Sequence, residues 1–194
     1  MRYATDHKLS TRSRILQAAS EIFRERGVAA AGVDEVMRRA GLTHGGFYAH
    51  FRGKAELVAE ACAAGFDAGK ANLARIAALP TKRDRVRALV WSYLSPRHRD
   101  NPAEGCLIAS LGLEVARPGA EARAGYASAL QQHRARVAEA LRLAEDEAEN
   151  QRLATALLSQ LVGALIIARS LTDAAESEAV LAQARQTALE HFAS

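Results

Sequence analysis

The sequence predicts an all-α protein of about nine helices, in which a three-helix helix-turn-helix unit precedes a larger helical domain. Of the 194 residues, 49% are hydrophobic and only four are proline. Alanine and leucine, which favour helices, outnumber the β-branched and aromatic residues that favour strands. Apolar residues also recur along most of the chain at the three- and four-residue spacing of one helical face.

The first two helices are predicted from apolar spacing and from the glycines that end them. A first helix would be capped by Ser10 or Thr11 and would end at Gly27. A second, shorter helix would occupy 32–41, with Gly32 as its N-cap. Glycine is tolerated at that position, although Ser, Thr, Asp and Asn are preferred there.

A third short helix is predicted after Thr43, which would cap it, and would run to about Phe51. It contains the pair Gly45-Gly46, although each glycine costs about 1 kcal/mol relative to alanine in a helix interior. The close approach of a DNA surface accounts for such a pair, and a plain turn between packed helices is the alternative. Three short helices with tight, Gly-containing turns form a helix-turn-helix unit, whose recognition helix enters the DNA major groove.

Longer helices are predicted from Lys54 onward. One of about 25 residues would end at Pro80, and another would stop before Pro96. The polar stretch 96–106 contains two prolines and a glycine and is predicted to be a loop. A helix would follow as far as Pro118-Gly119, and three further helices fill the rest of the chain.

Positive charge is concentrated in the N-terminal part of a chain whose formal net charge is +4. Residues 1–55 contain ten Lys/Arg and five Asp/Glu, whereas residues 56–194 contain sixteen and seventeen. An uneven split of this kind favours a polyanionic partner for the first part. We therefore predict a helix-turn-helix DNA-binding domain over 1–55 and a helical ligand-binding and dimerisation domain over 56–194.

The composition argues against secreted, membrane-spanning and metal-dependent proteins. Two cysteines are too few for a disulfide scaffold, and the first 14 residues lack the apolar core of a secretory signal. The most apolar stretch, 153–171, contains Thr155, Ser159, Gln160 and Arg169 and is interpreted as too polar for a membrane span. Metal-ligand spacing, a nucleophile elbow and a phosphate loop are all missing. We expect a cytoplasmic protein without a metal or cofactor and without membrane association.

The stretch ILQAASEIFRERGVAAAGVDEVMRRAGLTHGGFYAHFRGKAEL resembles the DNA-binding domain of the TetR family of bacterial transcriptional regulators. The resemblance covers residues 12 to about 60. It implies a homodimer whose recognition helices occupy successive major grooves of a near-palindromic, double-stranded DNA operator. The residues that carry it include Gly27, Gly41-Leu42-Thr43, Phe47-Tyr48, His50-Phe51 and Lys54.

This resemblance implies a set of DNA-contacting residues. Four of them would lie at base edges, and the others would contact phosphates. Gly32 departs from the family pattern of a Ser or Thr cap, so only its main-chain N–H remains for a phosphate. The base-edge residues are Thr43, His44, Gly45 and Gly46, and the phosphate contacts are Tyr48, His50 and Lys54, with Thr11 or Arg12 from the first helix.

Dimerisation is placed by the same resemblance on the last two long helices. The stretch 153–171 is apolar on nearly every face, which indicates partners on more than one side. Gly163 and Ala164 would allow a close helix approach. A helix central to its own protomer is the alternative. The predicted interface residues are Leu157, Leu161, Gly163, Ala164, Leu165 and Ala168.

The inducer site is less well specified, because aromatic residues at helical spacing form a core as readily as a cavity. An unknown small-molecule inducer is expected from the resemblance. The large rings that would line its cavity are Phe66, Trp91, Tyr93 and Tyr126.

Cys106 is a candidate sensor of oxidants or electrophiles and a fifth candidate ligand-binding residue. It follows Gly105 at a predicted helix start, with three basic residues at 97–99. A helix N-terminus and nearby cations stabilise a thiolate and make it reactive. Some TetR-like regulators that are similar in this Gly-Cys segment respond through that thiol. The alternative is a small packed residue, which is how Cys62 is interpreted.

Functions of two other classes remain open. A small helical enzyme would use Cys106 as nucleophile and His98 as its base, and a helical adaptor would lack DNA affinity altogether. The basic helix-turn-helix unit favours a dimeric repressor instead. In that interpretation the helix from Lys54 transmits the inducer or thiol signal to the recognition helices.

Overall fold

The computed structural model describes residues 2–117 and 123–193, and only the backbone of residues 2–8. All regular structure in these ranges is helical, so the all-α prediction is confirmed there. The predicted break at Pro118-Gly119 lies outside the described residues. The helices are α1 (Arg2–Arg26), α2 (Val33–Arg39), the 3-10 segment His44–Ala49, α3 (Lys54–Asp67), α4 (Lys70–Ala77), α5 (Lys82–Tyr93), α6 (Pro96–Asp100), the 3-10 segment Pro102–Glu104, α7 (Leu107–Ala116), α8 (Arg123–Leu141), α9 (Glu147–Ser170) and α10 (Ala174–Phe192).

Two predicted helix boundaries are wrong. Helix α1 begins at Arg2, so neither Ser10 nor Thr11 caps it. The single helix predicted from Lys54 is divided into α3 and α4 at Gly69, a residue that is unfavourable in a helix interior.

The loop predicted over 96–106 is wrong as well, because most of it is helical. Pro96 occupies the first turn of α6, where its fixed φ suits a helix start. The Ser95 hydroxyl caps that helix by accepting a hydrogen bond from the His98 N–H at 3.2 Å. The prolines that suggested a loop therefore start short helical segments.

The turn between α2 and the segment 44–49 depends on Gly41, which has a φ of +70°. The Gly41 N–H donates to the Arg38 carbonyl at 3.0 Å, and the Leu42 N–H donates to the Met37 carbonyl at 2.9 Å. These bonds form a Schellman motif, in which glycine is favoured at the left-handed position. Gly27 ends α1 with a φ of +81°, so both terminal glycines are confirmed.

Two apolar clusters form the core, and the first crosses the predicted domain boundary. It joins α1, α2 and the segment 44–49 to α3, α7 and the start of α8. The second lies among α4, α5, α8, α9 and α10. The helix-turn-helix unit is therefore packed directly against the larger part, and the division into 1–55 and 56–194 stays a prediction.

Helix α9 presents a different face from the one predicted for dimerisation. Five of the six predicted residues fill the core of the protomer itself, so the prediction is wrong for them. Ile166 and Ile167 are instead 42% and 55% exposed, and the sixth residue, Gly163, has open space around it. The five buried residues are Leu157, Leu161, Ala164, Leu165 and Ala168.

By length and composition alone, α9 is the one helix in the described ranges that is apolar enough to cross a membrane. By this criterion, the expectation that 153–171 is too polar for a membrane span is wrong. Core helices meet the same criterion, and the five buried side chains of α9 pack as those of a core helix do.

Asn150 holds the turn between α8 and α9 from inside the protein, where it is 5% exposed. Its Oδ1 accepts a hydrogen bond from the Leu143 N–H at 2.9 Å, and its Nδ2 donates to the Ala138 carbonyl at 3.1 Å. This side chain supplies the partner of the Leu143 N–H and adds a second bond to the Ala138 carbonyl, which also accepts from the Arg142 N–H at 2.9 Å.

We predict that Asn150→Leu lowers the free energy of unfolding by about 1–3 kcal/mol, because the buried Leu143 N–H loses its partner. Urea denaturation would measure it. Gln151→Leu is the matched control, since the Gln151 amide bonds only the Glu147 carboxylate at the surface; its effect should stay within about 0.5 kcal/mol. Equal midpoints for the two variants would contradict the role of Asn150.

Candidate nucleic-acid interface and thiol pocket

Two aromatic rings anchor the 3-10 segment 44–49 on the helices beneath it. Phe47 and Phe51 are 1% and 2% exposed, and their stacked ring centroids lie 5.6 Å apart. Because this face of the segment is fixed inward, Thr43, His44 and Tyr48 lie on the outer surface, where Tyr48 is 69% exposed.

The Gly45-Gly46 pair has no structural reason inside the protomer. Neither glycine is among the described residues with positive φ. A Cβ added to Gly45 would have no neighbour within 4 Å, and one added to Gly46 would lie in ordinary contact, 3.6 Å from the Met37 methyl group. The fold would therefore accept alanine at both positions.

The His44 ring is held by Asp34, a residue that the sequence analysis missed. Its Nδ1 contacts the Asp34 carboxylate, and both side chains are more than half exposed. The contact fixes the imidazole at the start of the 3-10 segment. It also brings a carboxylate to the predicted base-edge surface, where carboxylates accept from cytosine N4.

Arg12 supports the interface from inside. Its guanidinium lies 4.3 Å from the Phe51 ring centroid and donates to the His50 carbonyl and, at 2.5 Å, to the Glu60 carboxylate. Thr11 is 8% exposed. These contacts disfavour the expected phosphate contact from α1, because Thr11 is buried and the Arg12 guanidinium has internal partners.

Gly32 and Thr43 both occupy N-cap positions, as predicted. Gly32 has φ −85° and ψ 150°, and space around it is open. Thr43 is the N-cap residue of the 3-10 segment, but its side chain makes no cap hydrogen bond. Exposed Arg38 and Arg52 were missed among the basic residues of this surface.

A cavity of about 460 Å³ lies among α3, α4, α5 and α8, with the segment 95–107 along one side. It brings together three of the five predicted ligand-binding residues, namely Phe66, Tyr93 and Cys106. Residues of distant segments that the sequence analysis missed also line it. Among them are Arg24, Asn72, Leu89, His98, His133, Val137 and Leu158.

Trp91 and Tyr126 do not line this cavity. Trp91 is 50% exposed beneath the Arg185 guanidinium, which lies 4.9 Å from the ring centroid. Tyr126 is 5% exposed and packs behind Phe66, with ring centroids 5.6 Å apart. Tyr126 belongs to the first core cluster, whereas Trp91 lines a second pocket with Arg83, Arg87 and Leu189, so neither ring belongs to the cavity of Cys106.

The Cys106 backbone is fixed by His98. Cys106 is the N-cap of α7, and its N–H donates to His98 Nε2 at 3.0 Å. His98 Nδ1 in turn donates to the Tyr93 carbonyl at 2.6 Å. This pattern requires the neutral imidazole, and burial also lowers the pKa of His98. His98 is therefore not a cation beside the thiol.

The arginines near Cys106 come from distant helices rather than from residues 97–99. Arg97 forms an ion pair with Glu104, and Arg99 forms one with Asp100. Arg24 of α1 lines the same cavity as Cys106, and the Arg169 guanidinium lies 2.9 Å from the position that a Cβ on neighbouring Gly105 would take. Only tertiary packing brings these two arginines close to Cys106, so they could not be found among its sequence neighbours.

One buried polar atom at the cavity, His133 Nδ1, has no hydrogen-bond partner in the described part of the chain. Burial raises the pKa of Tyr93 well above its usual value, with nearby Cys106 adding to the shift. Burial lowers the pKa of His133 to about 4, and Arg136 contributes. An unpaired buried polar group is unfavourable, so the cavity suits a ligand with hydrogen-bonding atoms.

This geometry does not support the cysteine-dependent enzyme. His98 Nε2 accepts from the Cys106 backbone N–H, so it is not available as a base for the thiol. Burial raises the pKa of Cys62 to about 12 and it is fully buried, in agreement with a packing role. In the ranges described, no group of three metal-ligating side chains occurs.

Two family models match the chain. One, described as "Bacterial regulatory proteins, tetR family", matches residues 15–61, and the other, "Tetracyclin repressor-like, C-terminal domain", matches residues 83–188. The HTH-type transcriptional regulator SrpR of Pseudomonas putida is 48% identical over 48 residues, 25% of this chain and 22% of that protein. The HTH-type transcriptional regulator TtgR of the same species is 40% identical over 58 residues, 30% of this chain and 28% of that protein. The chain thus spans less than a third of these relatives, which are regulators and not enzymes.

Solved structures share the fold over almost the whole chain. The reduced form of E. coli NemR has a TM-score of 0.73 at 21% identity, covering 92% of this chain and 95% of that one. A transcriptional regulator from Cytophaga hutchinsonii has a TM-score of 0.76 at 17% identity, covering 96% of each chain. At these identities the likeness concerns the fold alone.

We predict that His133 contributes a pH-dependent part of the stability. The folded chain keeps this ring neutral down to about pH 4, whereas an unfolded histidine takes up its proton near pH 6.5. The contribution is complete above pH 6.5 and is lost as the pH falls toward 4, by up to about 3 kcal/mol. Urea midpoints measured across this range should fall less steeply in His133→Phe than in the exposed control His191→Phe; parallel curves would contradict the prediction.

Proposed function

The chain belongs to the TetR family of bacterial regulatory proteins, and from that premise we propose that it is a cytoplasmic, homodimeric repressor of transcription. It binds double-stranded operator DNA through the helix-turn-helix unit. A small-molecule inducer, or modification of Cys106, releases it from the operator.

The observation that carries this proposal is the outer surface of the segment 44–49. Gly45 and Gly46 lower helix propensity, yet the fold needs neither of them. Their benefit therefore lies in contact with another molecule. A DNA groove is such a surface, because a backbone without side chains can approach base edges and phosphates closely.

Charge around this surface supports a polyanionic partner. Arg38 and Arg52 are exposed on either side of the 3-10 segment, and half-buried Lys54 begins α3. We propose that these cations and Tyr48 contact phosphates while the segment 44–49 lies in the major groove. His44, oriented by Asp34, would then lie at a base edge.

The outer face of α9 supports a homodimer. Ile166 and Ile167 are exposed apolar side chains on this helix, and Gly163 leaves room for a second helix. We propose that this face, with α10, pairs with its copy. Pairing sets the distance between the two recognition segments, which must fit grooves about 34 Å apart.

The cavity and Cys106 support release by a ligand or by thiol chemistry. Cys106 begins α7 at the wall of a cavity that also presents the unpaired Nδ1 atom of His133. A soft electrophile would form a bond to the sulfur as the thiol proton is lost. One structure with this fold is described as the reduced form of E. coli NemR, and Cys106 is the cavity residue that a change of redox state would alter.

We predict salt-dependent operator binding that requires the dimer. Footprinting of intergenic DNA from the chain's own locus would locate the site. Affinity should fall roughly 10³-fold between 50 and 200 mM salt, because a dimer neutralises several phosphates. Ile167→Asp should yield monomers and weaken binding by about 10²-fold, since one half-site offers half of the contacts.

Leu113→Asp is the matched control for this test, because it makes the same change at a side chain that is 79% exposed on α7. It should leave both the dimer and DNA binding intact. The proposal would be contradicted if the wild-type chain were monomeric at micromolar concentration. It would also be contradicted if the chain did not bind intergenic DNA from its own locus in a buffer of low ionic strength.

We predict that alkylating Cys106 with one equivalent of iodoacetamide weakens operator affinity by about tenfold or more, an effect typical of coupling between sites. Buried Cys62 should not react while the chain is folded. Cys106→Ser should abolish the response, and Cys62→Ala should retain it. Unchanged affinity after complete modification of Cys106 would exclude the thiol response and leave the inducer cavity as the alternative.

A further inference from the structure

The Glu114 carboxylate holds the turn between α1 and α2 with both of its oxygen atoms. Oε2 accepts from the Val28 N–H at 2.8 Å, and Oε1 accepts from the Ala29 N–H at 2.6 Å. Gly27 allows this approach, because a Cβ there would lie 2.7 Å from Oε2. We call this arrangement of Glu114 with residues 27–29 the carboxylate clasp.

A single short helix joins the clasp to the thiol pocket. Cys106 is the N-cap of α7, and Glu114 lies eight residues further along the same helix. At 1.5 Å per residue the two are about 12 Å apart along the axis. A displacement of the Cys106 end therefore reaches the clasp through one continuous run of helical hydrogen bonds.

The apolar contacts of α7 fix its position less sharply than the clasp does. Leu107, Leu111 and Val115 lie in the same core cluster as α1 and α2, but apolar contact has no preferred direction. The two clasp bonds are directional, and lengthening either by about 1 Å would break it. A shift of α7 must therefore open the clasp or move the turn at 27–29.

The turn at 27–29 is well placed to move the DNA-binding surface. It joins α1 directly to α2, whose N-cap is Gly32. Helix α2 in turn carries Asp34, which holds His44, and Met37, which lies in the same core cluster as Phe47 of the 3-10 segment. Motion of this turn thus reaches the 3-10 segment 44–49 through α2, without passing along α3.

We propose that Glu114 is a positioning residue, and that the carboxylate clasp carries the state of the Cys106 cavity to the helix-turn-helix unit. This inference rests on the thiol response proposed above. It differs from the route predicted from the sequence, in which the helix from Lys54 transmits the signal.

The test compares operator affinity before and after alkylation of Cys106 with iodoacetamide in full-length Glu114→Ala, Glu114→Gln and wild type. Wild type should lose affinity about tenfold or more. Glu114→Ala should lose less than about twofold, because the clasp is missing in both states. Glu114→Gln should lie between them, because its amide keeps one acceptor oxygen but presents an NH₂ group to the second N–H.

Glu149→Gln is the matched control. It removes a carboxylate that pairs only with Arg152 on the same helix, and it should respond to alkylation as wild type does.

A second measurement, which needs no DNA, is hydrogen exchange at the Val28 and Ala29 amides. Exchange should accelerate about tenfold in Glu114→Ala and on alkylation of wild type, because both open these hydrogen bonds.

The outcomes separate this inference from the proposed function. If wild type responds to alkylation and Glu114→Ala responds equally, the clasp is overturned while the thiol response stands. If wild-type affinity and amide exchange are both unchanged by alkylation, the thiol response fails and the clasp inference fails with it. A loss of the response in Glu114→Ala with intact alkylation of Cys106 supports the clasp.

Discussion

The arrangement of the molecule depends on how three arginines hold the backbone of residues 94–103. Arg24 of α1, Arg169 of α9 and Arg185 of α10 each donate to carbonyl oxygens in this stretch at 2.5–3.0 Å. Hydrogen bonds from a charged donor are about twice as strong as neutral ones. Because the three arginines come from both ends of the chain, the stretch that leads to Cys106 is tied to the DNA-binding unit and to the predicted dimer helices at once.

This arrangement connects the cavity beside Cys106 to two other parts of the molecule. Arg169 connects it to α9, whose outer face carries the exposed Ile166 and Ile167. On the other side, α7 connects Cys106 to the Glu114 carboxylate and the turn after α1. The main chain beside the thiol is closely packed, because a Cβ at Gly105 would lie 2.9 Å from the Arg169 guanidinium. An adduct that shifts the Cys106 backbone therefore displaces its neighbours as well. Close-packed surroundings transmit such a displacement rather than absorb it.

The sequence correctly predicted features that depend on neighbouring residues in the chain, such as helix ends. Gly27 and Gly41 end their helices with positive φ, as the sequence indicated. Features that depend on tertiary packing could not be predicted from the sequence. Both faces of α9 are apolar, so spacing alone could not decide that the Leu157 row faces inward and Ile167 outward. The cations near Cys106 were sought among its sequence neighbours, whereas folding brings them from other helices. The prolines near 96 were interpreted as loop formers because a proline that begins a helix has the same local signature.

The glycines of the chain fall into two kinds, and the contrast supports the assignment of the DNA-facing surface. Gly27 combines a left-handed backbone with an approach of the Glu114 carboxylate that leaves no space for a methyl group. Such a glycine is required by the protomer itself and implies nothing about partners. Gly45 has an ordinary backbone and open space around it, so alanine there would stabilise the isolated protomer. Because glycine at this position is unfavourable in the free chain, its benefit must arise in a complex, on the surface where Tyr48 and the Asp34–His44 pair also face outward.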